Sequence, residues 1–248
     1  MTKSAEPLSN RAMNTDAPKT SFTAGVVTAL PIALGYFPIA FSFGVAATRA
    51  GLSGLEAFGL SLIIYAGAAQ FLALALITGG APLLVSAFTL VAMNIRHVLY
   101  GPALIKRVGP EARTKYAWAW AFGLTDEVFG AALGALARGK VAFSEVFMFG
   151  LGLTAYASWL SGTALGAFAG GAALQEYPVI DAALGFMLPA LFLALLLSIL
   201  SKAQLPVIAI AMAVTVAVTF AWSGTAGILS GMVAGALTGL LVRRGDAA

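Results

Sequence analysis

The chain has no cysteine, a single histidine and ten acidic residues in 248. Without cysteine there are no disulfides, no thiolate metal sites and no cysteine nucleophile. One histidine rules out a multi-histidine metal centre within one chain. Charge of either sign is scarce. Asp, Glu, Lys and Arg make up 10% of the residues and hydrophobic ones 60%, whereas a soluble domain carries roughly 25% charged residues. Nothing is charged from Ala57 to Ile95, nor from Val98 to Ile105. The net charge of +4 comes from Lys and Arg gathered in short connecting stretches, the pattern of membrane flanks rather than of a nucleic-acid face.

What is present is apolar sequence in long runs. About 20 such residues cross a bilayer as a helix, and the runs are continuous instead of alternating, which argues against a barrel. The chain reads as an all-α, polytopic helical membrane protein with about seven or eight transmembrane segments. Their expected spans are 22–48, 55–79, 82–105, 115–137, 146–170, 181–200, 203–222 and 224–242. Residues 1–21 form a polar tail expected to be disordered, 22–242 the transmembrane domain and 243–248 a short C-terminal tail. Pro31 and Pro38 are expected to kink the first segment, because proline removes a backbone donor and crowds the preceding turn.

Positive charge locates the cytoplasmic side. Lys106, Arg107, Arg113 and Lys115 place the loop after the third segment inside, Arg243 and Arg244 place the C-terminus inside, and Arg138 and Lys140 mark the far flank of the fourth segment as inside too. A single crossing cannot have both flanks on one side, so either the segment is broken or one weak loop violates the rule; the broken segment is the favoured alternative. The fourth segment is therefore expected to be broken or re-entrant near 123–127, where Thr125, Asp126 and Glu127 interrupt the apolar run. A weak internal repeat lays Pro38–Ile77 on Leu160–Ile199 and sets Gly44 on Gly166. Duplication of this kind marks secondary transporters, with the site at the repeat interface; parallel and inverted arrangements both remain open.

Arg96 and His97 stand near the middle of the charge-free stretch. An ionisable side chain at that depth is expensive, on the order of 3 kcal/mol for arginine on insertion scales, and survives mainly against a protein interior or a wet cavity. Within Asn94-Ile95-Arg96-His97-Val98-Leu99-Tyr100, helical spacing puts Asn94, His97 and Gly101 on one face and Arg96 and Tyr100 on another. Asp126 and Glu127 are the natural counter-charges, but adjacent helical residues point about 100° apart. One of them can pair with Arg96 while the other titrates or binds a cation. Gln70, Asn94, Arg96, His97, Tyr100, Thr125, Asp126 and Glu127 form the candidate substrate-binding or coupling set. Gln70 is either a substrate contact or interhelical glue, and Tyr65, one turn earlier, is read as packing. No catalytic set and no cofactor or metal site is expected.

Glycine recurs every fourth residue at Gly162, Gly166 and Gly170, and again at Gly227, Gly231, Gly235 and Gly239. Such spacing lays a smooth groove along one helix face and serves close helix packing. The run Gly134 to Val141 imitates a phosphate-binding loop, but Val141 stands where a magnesium-binding Ser or Thr is needed. This chain is not expected to bind ATP.

The stretch Pro31-Ile32-Ala33-Leu34-Gly35-Tyr36-Phe37-Pro38-Ile39-Ala40-Phe41, the Ala66-Gly67-Ala68-Ala69-Gln70-Phe71 run, the Asn94–Tyr100 run and Leu124-Thr125-Asp126-Glu127 together resemble the AzlC family of branched-chain amino acid permeases. Asp181 and Pro189-Ala190-Leu191-Phe192 extend the likeness, which covers about residues 22–242. The resemblance implies a non-enzymatic exporter of valine, leucine or isoleucine, with methionine as a further substrate. It also implies a bacterial cytoplasmic (inner) membrane location and a small membrane partner of the AzlD type. A zwitterionic substrate needs a cation for its carboxylate and acceptors for its ammonium, both of which the candidate set supplies. The rival reading is a non-transporting assembly subunit or a passive channel.

Overall fold

The computed structural model describes residues 20–109, 114–139, 141–170 and 200–245, with isolated positions between 177 and 197. Most of the sixth apolar segment, with Asp181, lies outside the described residues, as do Arg113, Lys140 and the N-terminal tail up to residue 19. The chain forms two compact units, residues 1–70 with 94–173 and residues 71–93 with 174–248. All regular structure among the described residues is helical apart from a lone bridge position at Val141, as the apolar runs predict.

The first unit is built on two parallel helices, α1 (Phe22–Arg49) and α7 (Glu145–Leu165), the latter continuing as a π turn, Gly166–Gly170. Ser21 caps α1 by accepting the Ala24 N–H, and Ser144 caps α7 by accepting that of Phe147. The Ser144 hydroxyl also donates to the Thr20 carbonyl at 2.7 Å, so the two helices begin side by side. Glycine sets their separation. A Cβ placed on Gly25 would lie 2.7 Å from Leu151 N, one on Gly44 2.6 Å from Ala167 N, and one on Gly162 3.0 Å from the Ala40 Cβ. Those on Gly150 and Gly166 would overlap the carbonyls of Phe22 and Phe41. Pro31 and Pro38 both lie inside the continuous α1.

Between these helices the chain makes two interrupted hairpins. The second apolar segment, expected as one crossing, is α2 (Gly54–Ile63) and α3 (Gly67–Thr78), with a break at Ile64–Ala66. A Ser53–Glu56 capping box starts α2. Were the two helices collinear, Ser61 and Gln70 would stand about 20 Å apart. Instead Gln70 Nε2 donates to Ser61 Oγ at 2.8 Å. The chain therefore reverses at the break.

The fourth segment behaves in the same way. It consists of α5 (Ala117–Phe122) and α6 (Asp126–Ala137), broken at Gly123–Thr125 as its polar trio predicts. Tyr116 N and Trp120 Nε1 both donate to Glu145, the first residue of α7, and Gly123 packs on Gly152. The hairpin thus enters beside the start of α7. α6 has 12 residues, about 18 Å of helix, while the link from Gly139 to Glu145 spans at most about 21 Å. Only a return toward the start of α7 closes that loop, and Gly139 turns it with φ +66°.

α4 (Leu83–Val108) meets Asp126 with Arg96 and, one turn later, stacks Tyr100 on Phe129 of α6. α4 and α6 therefore run in the same direction, antiparallel to α1. Lys106, Arg107, Lys115 and Arg138 come to one end of the unit, which removes the conflict between the two basic flanks. The order helix then interrupted hairpin occurs twice, as α1 with α2–α3 and as α4 with α5–α6. The second copy is inverted relative to the first.

In the second unit, after the 3₁₀ turn Lys202–Gln204, α8 (Leu205–Ala221) packs against α9 (Gly224–Gly245). Gly227 and Gly231 of α9 face Thr219 and Thr215 of α8, and a Cβ on Gly235 would lie 3.1 Å from that of Ala211. Gly239 has nothing within 4 Å. The helix runs on through Arg243 and Arg244 to Gly245, past the boundary expected for the tail. By length and composition, α1, α4 and residues Gly224–Val242 of α9 can each cross a membrane.

These contacts predict a contrast among glycines. Gly166→Ala and Gly231→Leu should each lose most of the folded protein on detergent extraction. Gly239→Ala should be neutral or stabilise by up to about 1 kcal/mol, the helix-propensity gain of alanine over glycine. Thermal unfolding in detergent, followed by size-exclusion chromatography, checks the order.

Candidate functional site

The tips of the two hairpins meet in the first unit. A cavity of about 420 Å³ lies between them, lined by Ile64, Tyr65 and Ala66 from one tip, Phe122 and Leu124 from the other, and Asn94 and His97 from α4. Sites for small ligands occupy about 300–1,000 Å³ and combine apolar walls with a few polar groups. The Asn94–His97–Gly101 face predicted from helical spacing borders this cavity.

The other face of α4 carries the ion pair. Arg96 Nη2 stands 2.7 Å from Asp126 Oδ2, the Tyr100 hydroxyl donates to Asp126 Oδ1, and His97 Nε2 lies 4.0 Å from that same oxygen. Of the two carboxylates, Asp126 is the partner of Arg96. Side-chain exposures of 47% and 30% leave the pair open on one side. Neither residue lines the cavity; His97 connects the two.

Glu127 turns the other way, toward α1. The Tyr36 hydroxyl donates to Glu127 Oε2 at 2.5 Å and shares a 2.5 Å hydrogen bond with Thr125 Oγ1. Thr125 caps α6 by accepting the Val128 N–H at 3.3 Å. The step of about 100° between neighbouring helical residues sends the two carboxylates to different helices.

Gln70 stands apart from the rest of the candidate set. It is fully buried, and both ends of its amide are held by the protein: Nε2 by Ser61, and Oε1 by Trp159 Nε1 at 2.8 Å. Ser61 continues the chain to Thr163 at 2.7 Å. The amide fastens the first hairpin to α7 and does not border the cavity, so the geometry favours glue over ligand contact. Tyr36 and Trp159 escaped the sequence reading because a lone aromatic in an apolar helix gives no signal of its own. Tyr65 has the packing role that its sequence context suggests, and a second feature besides. Its ring does pack, at 4.8 Å from that of Tyr156, yet its buried hydroxyl has no hydrogen-bond partner. Among the described residues no group of three or more His, Asp or Glu could hold a metal ion.

The chain matches the family described as AzlC protein over residues 31–173, a span that contains α1 to α7 from Pro31 onward and every residue of the site. It belongs to the AzlC family. It is 44% identical over 221 residues to Inner membrane protein YgaZ of Escherichia coli (strain K12), covering 89% of this chain and 90% of that one. It is 41% identical over 177 residues to an uncharacterized membrane protein of Archaeoglobus fulgidus, 71% of this chain and 74% of the other. Similarity also extends to Branched-chain amino acid transport protein AzlC of Bacillus subtilis (strain 168), 26% identical over 168 residues, 66% and 65% of the two chains. No solved structure matches the chain. As an AzlC-family member with long apolar helices, it is a membrane protein.

The pairing makes a directional prediction for this AzlC-family site. Arg96→Gln leaves Asp126 uncompensated, and a charge at mid-depth costs about 2.5–3.5 kcal/mol on insertion scales. The single variant should lose folded protein, Arg96→Gln with Asp126→Asn should recover part of it, and Arg96→Gln with Glu127→Gln should not. Yields of monodisperse protein from matched expression decide between the two acids.

Proposed function

We propose that this chain is the transporting subunit of a secondary exporter that moves branched-chain amino acids out of a bacterial cell across its cytoplasmic membrane, coupled to protons. Valine, leucine and isoleucine are its substrates, with methionine a further one, and a small AzlD-type membrane subunit works with it. The observation that carries the reading is the cavity between the tips of two inverted, interrupted hairpins. Broken helices that meet at an inverted-repeat interface are how secondary transporters build a site near the membrane midplane, because the freed backbone groups can line a cavity there. The name of the Bacillus subtilis relative supplies the substrate class.

The chemistry suits that class. Asn94 and His97 offer polar contacts to an amino acid's ends, and Ile64, Phe122 and Leu124 offer apolar walls to an aliphatic side chain. The open side of the Arg96–Asp126 pair gives both charges that a zwitterion requires. Two inverted hairpins that alternate in opening would provide access from each side in turn.

The test is efflux of labelled valine from proteoliposomes that contain the full chain with its small subunit, with and without an imposed pH difference. Saturable efflux that the pH difference drives above equilibrium is expected, with leucine and isoleucine competing and lysine not. Efflux that is unsaturable and indifferent to competitors would mean a passive channel, and none at all would mean a non-transporting subunit.

A further inference from the structure

Asp126 and Glu127 adjoin in sequence but have different kinds of partner. Asp126 is held by a guanidinium and a hydroxyl of α4. Glu127 is part-buried and held by the Tyr36 hydroxyl of α1, and among the described residues no Lys, Arg or His nitrogen lies within ion-pair distance of it. The distinction is chemical. A guanidinium only donates, so it serves a carboxylate and has nothing to offer a carboxylic acid's proton. A hydroxyl donates and accepts, and so can keep a hydrogen bond to either form.

The arrangement around Tyr36 makes that reversal possible. With Glu127 as carboxylate, Thr125 Oγ1 donates to Tyr36 Oη and Tyr36 donates to Glu127 Oε2. With a proton on Oε2, Glu127 donates to Tyr36 Oη, the Tyr36 proton turns toward Thr125 Oγ1, and the Thr125 hydroxyl rotates its own proton away and gives up the bond it donated. Thr125 still accepts the Val128 N–H on its other lone pair. The proton arrives from water on one side and leaves to water on the other. One O–H bond, at Glu127, forms and breaks.

We propose that Glu127, with Tyr36 as its reversible partner, is the binding site of the coupling proton, while Asp126 is a fixed counter-ion to Arg96. This rests on the proton-coupled reading above and adds to it which acid carries the proton. The groups that face Glu127 electrostatically come from every neighbouring element: Tyr36 on α1, Tyr65 at the tip between α2 and α3, and His97 and Tyr100 on α4, with Asp126 beside it on α6. The Tyr65 ring packs edge-on to that of Tyr36 at 6.3 Å, and its hydroxyl has no partner. Both hairpin tips therefore border the proton site, and the same tips line the cavity.

The experiment compares two fluxes in proteoliposomes with the full chain and its small subunit: valine exchange without a gradient, and net valine flux with an imposed pH difference. For the wild type both should be present. Glu127→Gln should keep measurable exchange and lose the stimulation by the pH difference, its ratio falling to one. Glu127→Asp, which retains an acid, should retain stimulation with a shifted pH midpoint. Tyr36→Phe keeps the carboxyl group but removes its hydroxyl partner, and should also move that midpoint. Wild-type stimulation in Glu127→Gln overturns the proposal. If Glu127→Gln fails to fold, an unmoved midpoint in both Glu127→Asp and Tyr36→Phe overturns it. Wild-type exchange that ignores the pH difference overturns it while transport stands. Absence of all exchange in the wild type overturns the transporter reading, and the proposal with it.

Discussion

A helix interrupted inside a membrane exposes backbone donors and acceptors at each new end, and hydrocarbon cannot satisfy them. The first unit is arranged around that constraint. Each break buries residues against α1 and α7, Tyr65 at 8% exposure in the first and Leu124 at 3% and Thr125 at 6% in the second, while Ile64 and Ala66 are half-buried. The Tyr156 hydroxyl donates to the Leu62 carbonyl at the end of α2, and the Thr125 hydroxyl takes the Val128 N–H at the start of α6. Glu145 collects the Tyr116 N–H at the start of α5. The close approach of α1 and α7 through glycines supplies the wall on which both hairpins rest.

Placed in that setting, polar side chains divide between holding and doing. The Trp159–Gln70–Ser61–Thr163 chain is buried, and each of its members has a hydrogen-bond partner. A buried network in which each member is satisfied rigidifies its surroundings, and this one holds the first hairpin to α7. The groups of the second hairpin differ. Asp126 and Glu127 sit at the first turn of α6, where the helix dipole favours negative charge, and they reach two separate helices. Charge at the second tip is thereby coupled to α4 on one side and α1 on the other, while the first tip carries no charge.

The inverted relation between α1–α3 and α4–α6 is a property of direction, and it does not require the two copies to share residues. Tyr36 lies on the first long helix and Tyr100 on the second, yet both meet the start of α6. The two halves have the same path and different chemistry. One face-to-face cavity with a single charged tip follows from that combination.

The membrane class and the helical character were legible because burial in lipid needs only enough consecutive apolar residues, a local property. The break near Thr125 was legible because Thr, Asp and Glu interrupt such a run, and the basic residues on both sides favour a returning chain over a loop that breaks the positive-inside rule. The break at Ile64–Ala66 was not, since isoleucine, tyrosine and alanine suit a continuous helix and nothing local signals a turn. The repeat of Pro38–Ile77 on Leu160–Ile199 has about half of its second copy outside the described residues, while the inverted pair left no likeness to read. Sequence alone determined that a charged arginine at depth needs an acid on the fourth segment. Tertiary structure decided which acid, because Asp126 and Glu127 differ by a rotation about one helix axis, and only the placement of α4 and α1 around α6 gives that rotation a meaning.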